Sequence, residues 1–164
     1  MRNLIGLLSI ALLATQALAA DAEVTGIEIV NFGIYTVDVT SREANPGGVA
    51  HSAVANPKLA VHTTTIPAQL GLSFGFQYKL LGSPAGAKVD IHRVTRFPKV
   101  GLRAPGGSAP RYVSERDLSV AIGEVLYMGY GLTESWEVVP GEWSIEIWHN
   151  GRKLADRHFT LVKQ

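Results

Sequence analysis

Histidine is the residue type of this sequence with the widest chemical range, because imidazole binds metals and transfers protons near neutral pH. A zinc site built from histidines needs its ligands at close spacing on one face, about three to five residues apart on a turn or helix. No two of the five histidines have a suitable spacing; they are His51, His62, His92, His149 and His158. We therefore predict no metal site and no cofactor, and we expect the histidines at the surface or on edge strands.

Nucleophilic catalysis has little support in the sequence. The chain has no cysteine, and no serine stands in a G-x-S-x-G turn. Asp90 and His92 share one face of a predicted strand, so a serine from elsewhere could complete a triad with them. Glu134 and Glu137 could act as paired carboxylates, but both lie in a predicted loop, where we expect acidic side chains to be solvated. The alternative function is therefore a periplasmic, hydrolase-like enzyme. Its site would be assembled from scattered Asp, Glu and His residues.

A tryptophan indicates a surface for a partner. In a strand with one buried face, Trp143 points to the core and Trp148 to the opposite face, beside polar residues. Exposed tryptophans beside polar neighbours are typical of sugar-binding and protein-binding surfaces. The predicted partner surface consists of Trp148, Glu146, His149 and Arg152. The alternative is that the N-terminal strand or residues 99–110 cover Trp148.

The elements that must position these residues begin with a hairpin between residues 136 and 162. Trp143, Ile145 and Ile147 alternate with polar or outward-facing residues, as in a half-buried strand. Asn150-Gly151 then supplies the two residues of a type I′ turn, since both must tolerate positive φ.

The returning strand needs an irregularity, because Leu154 and Phe159 differ in parity and a strict alternation cannot bury both. A bulge near residues 155–156 would set Leu154 opposite Ile147 and Phe159 opposite Trp143. Just before the hairpin, Trp136 is expected to close one end of the fold.

The rest of the chain is predicted to form short strands. These are residues 24–30, 34–39, 59–66, 72–80, 89–95, 118–122 and 125–132. Asn31 and Gly33 indicate a bulge or bend between the first two, while residues 41–57 and 99–110 are predicted loops. Residues 114–117 could cap a single helical turn, but no window shows sustained helical periodicity. We predict an all-β, antiparallel sandwich of seven to nine strands, with a closed barrel as the alternative.

The first nineteen residues have the three parts of a secretory signal peptide. Arg2 gives a positive start, residues 4–14 are almost wholly apolar, and Ala17-Leu18-Ala19 fits the cleavage rule. The apolar run is too short to cross a bilayer core of about 30 Å as a helix. We therefore predict a periplasmic or secreted protein with no membrane span after cleavage, and one β-sandwich domain over residues 20–164.

Charge and cysteine content narrow the function further. Without the leader, fourteen basic residues balance fourteen acidic ones, which gives no support for nucleic-acid binding. The absence of cysteine means that an exported domain of this size must be stabilised by its hydrophobic core rather than by disulfides.

Three segments carry a resemblance to a known family. They are GIEIVNFGIY (residues 26–35), IPAQLGLSFGFQYKLLG (residues 66–82) and WEVVPGEWSIEIWHNGRKLADRHFTLV (residues 136–162). Together they resemble a family of bacterial exported proteins that is catalogued only as a domain of unknown function. The resemblance implies a compact immunoglobulin-like β-domain and carries no site residues. Residues 45–60 and the loop after Phe97 lie outside the matched motifs, so a function particular to this protein could reside there.

The sequence thus favours an exported, non-enzymatic module that binds an envelope protein or a glycan through its loops or an open sheet edge. An aromatic face around Trp148 or a long unpaired strand would favour binding, whereas acidic residues with histidine in a concave pocket would favour the enzyme.

Overall fold

The computed structural model describes residues 21–43, 45, 49–107 and 109–163. The predicted leader, residues 1–19, lies outside the described residues. The strands are β1 (Glu23–Glu43), β2 (His51–Val61), β3 (Thr65–Pro67), β4 (Ser73–Ser83), β5 (Lys88–Arg96), β6 (Val113–Ala121), β7 (Val125–Gly131), β8 (Gly141–His149) and β9 (Arg152–Val162). One turn of 3-10 helix, Ser135–Glu137, precedes β8. No helix in the described residues has the length and apolar character that crossing a membrane requires.

The strands form two separate sheets. The four-stranded sheet has the order β2-β1-β4-β7, and the five-stranded sheet has the order β3-β9-β8-β5-β6. All neighbouring strands are antiparallel except β3 and β9, which run parallel. The predicted all-β sandwich is therefore confirmed, and the alternative of one closed barrel is wrong.

The core lies between the sheets and is aromatic at its centre. Phe74, Phe76 and Tyr78 alternate along β4 and are buried, as the sequence predicts. Trp143 of β8 is fully buried and packs edge-on against Phe74, with ring centroids 5.7 Å apart. Because aromatic rings remove large apolar areas from water, these contacts stabilise a domain that has no disulfides.

The first two predicted strands are one strand. β1 runs through Asn31 with a register shift after Ile29, so the predicted bulge is confirmed. Gly33 is required beyond this bulge because a Cβ there would lie 2.0 Å from the carbonyl oxygen of Val61. The glycine therefore lets β1 approach β2 closely.

The prediction of a loop over residues 41–57 is wrong at both ends, because residues 41–43 belong to β1 and residues 51–57 to β2. β2 begins at His51 and pairs with the end of β1, where Glu43 lies opposite His51. The Ala, Asn and Pro content that indicated a loop is tolerated because β2 is an edge strand with a register irregularity here. Asn56, with a positive φ of 50°, and Pro57 fall between the pairs of Ala55 and Lys58 with β1. The next predicted strand, residues 59–66, is likewise divided between β2 and β3.

Beyond Tyr35, β1 has no partner in β4. Residues 36–43 and 51–58 therefore form a two-stranded extension of the sheet, which we call the arm. Two ion pairs tie the arm to the sandwich: Arg42 with Glu134 at 2.8 Å and Glu43 with Arg116 at 3.6 Å.

Two smaller predictions are also corrected. Residues 114–117 continue the ladder of β6 with β5 rather than forming a helical turn. In the hairpin, Phe159 lies opposite Trp143 as predicted, but Ala155 takes the place opposite Ile147. The register shift falls between Ile147 and Trp148, so Leu154 is the extra residue of the bulge.

Candidate functional site

A cavity of about 300 Å³ opens between the arm and the sandwich. The arm side is formed by Val37, Val39 and residues 49–54, and the four-stranded sheet contributes residues 127–131 of β7. The five-stranded sheet contributes Arg93, Ser114, Arg116 and Leu118. The volume lies at the lower end of the range of about 300–1,000 Å³ that is typical of ligand pockets.

Arg93 is the most distinctive residue of this cavity. It follows Val89 and Ile91 at alternating positions of β5 and so belongs to the row that faces the core. Its Nε donates a hydrogen bond to Thr95 Oγ1 at 3.1 Å, and its Nη2 donates to the Gly129 carbonyl oxygen at 2.9 Å. Across the described residues, no carboxylate forms an ion pair with Arg93. Burial lowers the pKa of its guanidinium, which nevertheless stays charged at any physiological pH.

A second cation and a titratable group lie in the same cavity. Arg116 shares its lining with His51 at the start of β2. Burial lowers the pKa of His51 below its ordinary value, and the charges of Arg116 and Arg93 lower it further, while Glu43 opposes them. His51 is therefore neutral at pH 7, and the positive charge of the cavity comes from the two arginines.

Two tyrosines complete the wall on β7. Burial raises the pKa of both Tyr127 and Tyr130, so their hydroxyls stay protonated. The Tyr127 hydroxyl donates to the Phe74 carbonyl oxygen at 3.3 Å, and the Tyr130 hydroxyl donates to Glu137 Oε1 at 2.9 Å. These bonds hold both rings in fixed orientations.

Glu137 overturns the expectation that the acidic loop is solvated. It is 2% exposed, and its Oε2 accepts hydrogen bonds from the Thr133 and Glu134 amides, both at 2.9 Å, and from the Thr133 hydroxyl at 3.1 Å. Together with the bond from Tyr130, four donors occupy the carboxylate. Glu137 therefore caps the backbone amides at the start of its own 3-10 turn. The capping pattern of Glu134 and Glu137 could have indicated this arrangement.

The structure divides the predicted partner surface into two pairs. Glu146 and Trp148 share the outer face of the five-stranded sheet, whereas His149 and Arg152 lie opposite each other beside the turn. His149 contacts the Asp90 carbonyl oxygen through Nδ1 at 2.7 Å, and Arg152 donates to the Val24 carbonyl oxygen at 3.0 Å. The second pair thus connects the hairpin end to neighbouring strands.

Glu146 is buried, contrary to its expected place on an exposed face. Its side chain is 3% exposed, and it accepts hydrogen bonds from Arg96 Nε and Trp148 Nε1, both at 2.7 Å. Burial by itself raises the pKa of the Glu146 carboxyl, but these hydrogen bonds and the charges of Arg96 and Lys153 outweigh it and lower the pKa below its ordinary value.

The Trp148 side chain is partly buried rather than fully exposed to solvent. The Lys153 ammonium lies over the indole, with its nitrogen 5.2 Å from the ring centroid. Lys153 also pairs with Asp156 at 2.8 Å, and Asp156 contacts His158, which contacts Glu142. We call this chain of charges, from Arg96 through Glu146 and Lys153 to Glu142, the outer-face network.

The remaining predicted groups lie apart from the cavity. His92 pairs with Asp117 of β6 at 2.7 Å rather than taking part in a triad with Asp90. In the part of the chain that the structure describes, no group of three or more His, Asp or Glu side chains is arranged to hold a metal ion. Sequence reasoning overlooked Arg93, although an arginine in the inward row of Val89 and Ile91 is a visible break in the pattern.

Comparison with known proteins places this geometry in a family. An immunoglobulin-like protein from Pseudomonas aeruginosa superposes with a TM-score of 0.51 at 24% identity, over 87% of this chain and 98% of that one. The predicted immunoglobulin-like fold is thereby confirmed. No curated protein matches the sequence. The model of a domain of unknown function (DUF3859) matches residues 23–161, and because this match spans most of the chain, the protein belongs to that family.

Proposed function

We propose that this protein is an exported, non-enzymatic binding module whose ligand occupies the cavity between the arm and the sandwich. The leader-like residues 1–19 support export. The binding role rests on one observation: a ligand-sized cavity combines two arginines with an apolar wall from the arm.

Glu137 and His51 both line the cavity, and this pair is what an enzyme would use for acid–base work. The Glu137 carboxylate, however, is occupied by four hydrogen bonds from its own turn and from Tyr130. A general base needs a free lone pair toward its substrate, so this arrangement favours binding over catalysis.

The outer face is the second candidate. Trp148 is partly exposed, and a groove of about 520 Å³ lies on the same sheet, lined by Arg96, Lys99 and His158 among others. An envelope protein or a glycan would contact this face through Trp148 and its partly exposed neighbours Arg96 and Lys153, because Glu146 is buried and His149 and Arg152 lie beside the turn.

The test is a ligand-observed NMR screen of a small-molecule fragment library against residues 20–164. Ser114→Phe places a ring in the cavity, and Ser119→Phe places the same ring on the exposed side of the same strand as a control. We expect fragments that bind the wild type and the Ser119 variant but bind the Ser114 variant at least about tenfold more weakly.

Two results would contradict the proposal. In the first, every fragment that binds the wild type binds Ser114→Phe equally well, or no fragment binds at all. The other is binding that survives Ser114→Phe and disappears in Trp148→Ala, which would move the site to the outer face.

A further inference from the structure

We infer that the cavity binds a small organic anion, and that Arg93 is the residue that fixes the carboxylate or phosphate group of this ligand. The inference rests on the proposed function, since it names the ligand chemistry of the same cavity.

The guanidinium of Arg93 has N–H donors that the protein does not use. A guanidinium carries five N–H donors in a planar fork. Thr95 Oγ1 and the Gly129 carbonyl oxygen accept one each, and the remaining three have no acceptor in the described part of the chain. The two bonds that are made also hold the fork in one orientation at the cavity wall. This is the preorganised geometry that suits paired hydrogen bonds to a carboxylate or a phosphate.

The charge around Arg93 also calls for an anion. Arg116 adds a second positive charge, which Glu43 partly balances at 3.6 Å, while the Glu137 carboxylate in the same lining is held by its own four hydrogen bonds and does not pair with Arg93. The aromatic neighbours Tyr78, Tyr127 and Tyr130 stay neutral because burial raises the pKa of each hydroxyl. Arg93 is partly buried, so its unpaired donors face the open cavity, where a bound anion would replace their water with charge-assisted hydrogen bonds.

The opposite wall defines the rest of the ligand. Val37, Val39 and Val49 from the arm side face the cavity together with Leu118 and Met128 from the sandwich. Such a surface favours an apolar body on the ligand. The expected ligand class is therefore a compact amphiphilic anion, with its oxyanion on Arg93 and its apolar part against the arm.

The inference is tested by titrating residues 20–164 with benzoate, phenyl phosphate and the neutral analogue benzamide at low ionic strength, where screening is weak. Chemical shifts of the backbone amides report binding. We expect benzoate or phenyl phosphate to bind at least about tenfold more tightly than benzamide, because only the anions form charge-assisted hydrogen bonds. The ratio between the two anions shows whether a carboxylate or a phosphate is preferred.

Arg93→Met removes the charge and keeps an unbranched apolar side chain, so we expect it to abolish the preference for the anions. Arg103→Met, in an exposed loop, removes an arginine elsewhere and should leave the preference intact. If the Met variant fails to fold, Arg93→Lys serves instead: it keeps the charge but loses the fork, and its affinity for the anions should fall severalfold while that for benzamide stays constant.

Three outcomes would overturn the inference. Benzoate and phenyl phosphate could fail to bind up to about 10 mM. Benzamide could bind as tightly as the anions and lose binding in Ser114→Phe, in which case the cavity is a binding site but not for anions. Finally, Arg93→Met could lower the thermal midpoint while the ratio of anion to benzamide affinity stays unchanged, which would give Arg93 a purely structural role through Gly129.

Discussion

At the scale of single residues, the outer-face network shows how a carboxylate is kept charged inside a sheet surface. Glu146 is 2% exposed, and removing a charge from water is costly unless hydrogen bonds and opposite charges replace the solvent. Arg96, Trp148 and Lys153 provide that replacement from three directions. Alternation along β8 correctly predicts the face of Glu146, but its burial depends on long side chains from β5 and β9.

Glu146→Gln should therefore destabilise the fold. We expect the free energy of unfolding to fall by about 1–3 kcal/mol at pH 7, because charge-assisted hydrogen bonds to a buried group are lost. Urea denaturation measures this difference. Glu142→Gln is the matched control, since the Glu142 side chain is 71% exposed and its change should stay within about 0.5 kcal/mol. Equal effects of the two substitutions would contradict a special role of the buried carboxylate.

The stability that Glu146 contributes should also depend on pH. The pKa of Glu146 is lowered in the folded state from its ordinary value of 4.5, so the unfolded chain takes up this proton first as the pH falls. The contribution of Glu146 is complete above about pH 5 and is lost as the pH falls through 4.5 toward the folded pKa. The difference in the free energy of unfolding between the wild type and Glu146→Gln, measured by urea denaturation, should accordingly become smaller as the pH falls below 4.5.

At the scale of elements, the arm exists because one strand is longer than its neighbour. β1 continues past the last β4 pair at Tyr35, and only β2 accompanies it. The extension is needed to enclose the cavity, since Val37 and Val39 lie on it. Composition could not predict this element: an edge strand tolerates residues such as Asn56 and Pro57 that are typical of loops.

Gly33→Ala should disturb the close approach of β1 to β2 next to the arm. A Cβ at this position meets the Val61 carbonyl oxygen at 2.0 Å, and φ is 143°, so both space and backbone conformation oppose alanine. We expect a loss of about 2 kcal/mol or more in the free energy of unfolding.

The control for this substitution is Gly26→Ala in the same strand. Its nearest contact would be Leu81 Cδ1 at 3.9 Å, which is ordinary packing. Thermal unfolding should show it neutral, or stabilised by up to about 1 kcal/mol through the reduced entropy of the unfolded chain. A Gly33 variant as stable as the Gly26 variant would contradict the close approach of β1 and β2.

At the scale of the whole molecule, one tryptophan joins the two sheets. Trp143 of the five-stranded sheet contacts Phe74 and Tyr130 of the four-stranded sheet, with ring centroids 5.7 and 4.9 Å away. Its indole N–H donates to the Val139 carbonyl oxygen at 3.0 Å, so the ring is fully buried and still satisfied. A sandwich without disulfides depends on such contacts for its stability.

Trp143→Ala should cost about 3–5 kcal/mol, because it leaves a large cavity between the sheets. Urea denaturation followed by circular dichroism measures the loss. Tyr112→Ala, at a side chain that is 53% exposed, should change the stability by no more than about 0.5 kcal/mol. A small effect at Trp143 would show that the centre of the core lies elsewhere.

The sequence by itself determined the β class, the terminal hairpin and its aromatic core. These follow from alternation and turn chemistry, which act between near neighbours in the chain: Trp143 and Phe159 are brought together by a turn at Asn150 and Gly151. Tertiary structure alone decided the arm, the cavity and the environments of Glu137, Glu146 and Arg93. Each of those depends on side chains that meet across strands far apart in sequence, so no local pattern could show whether a charged group there is solvated, paired or left facing a cavity.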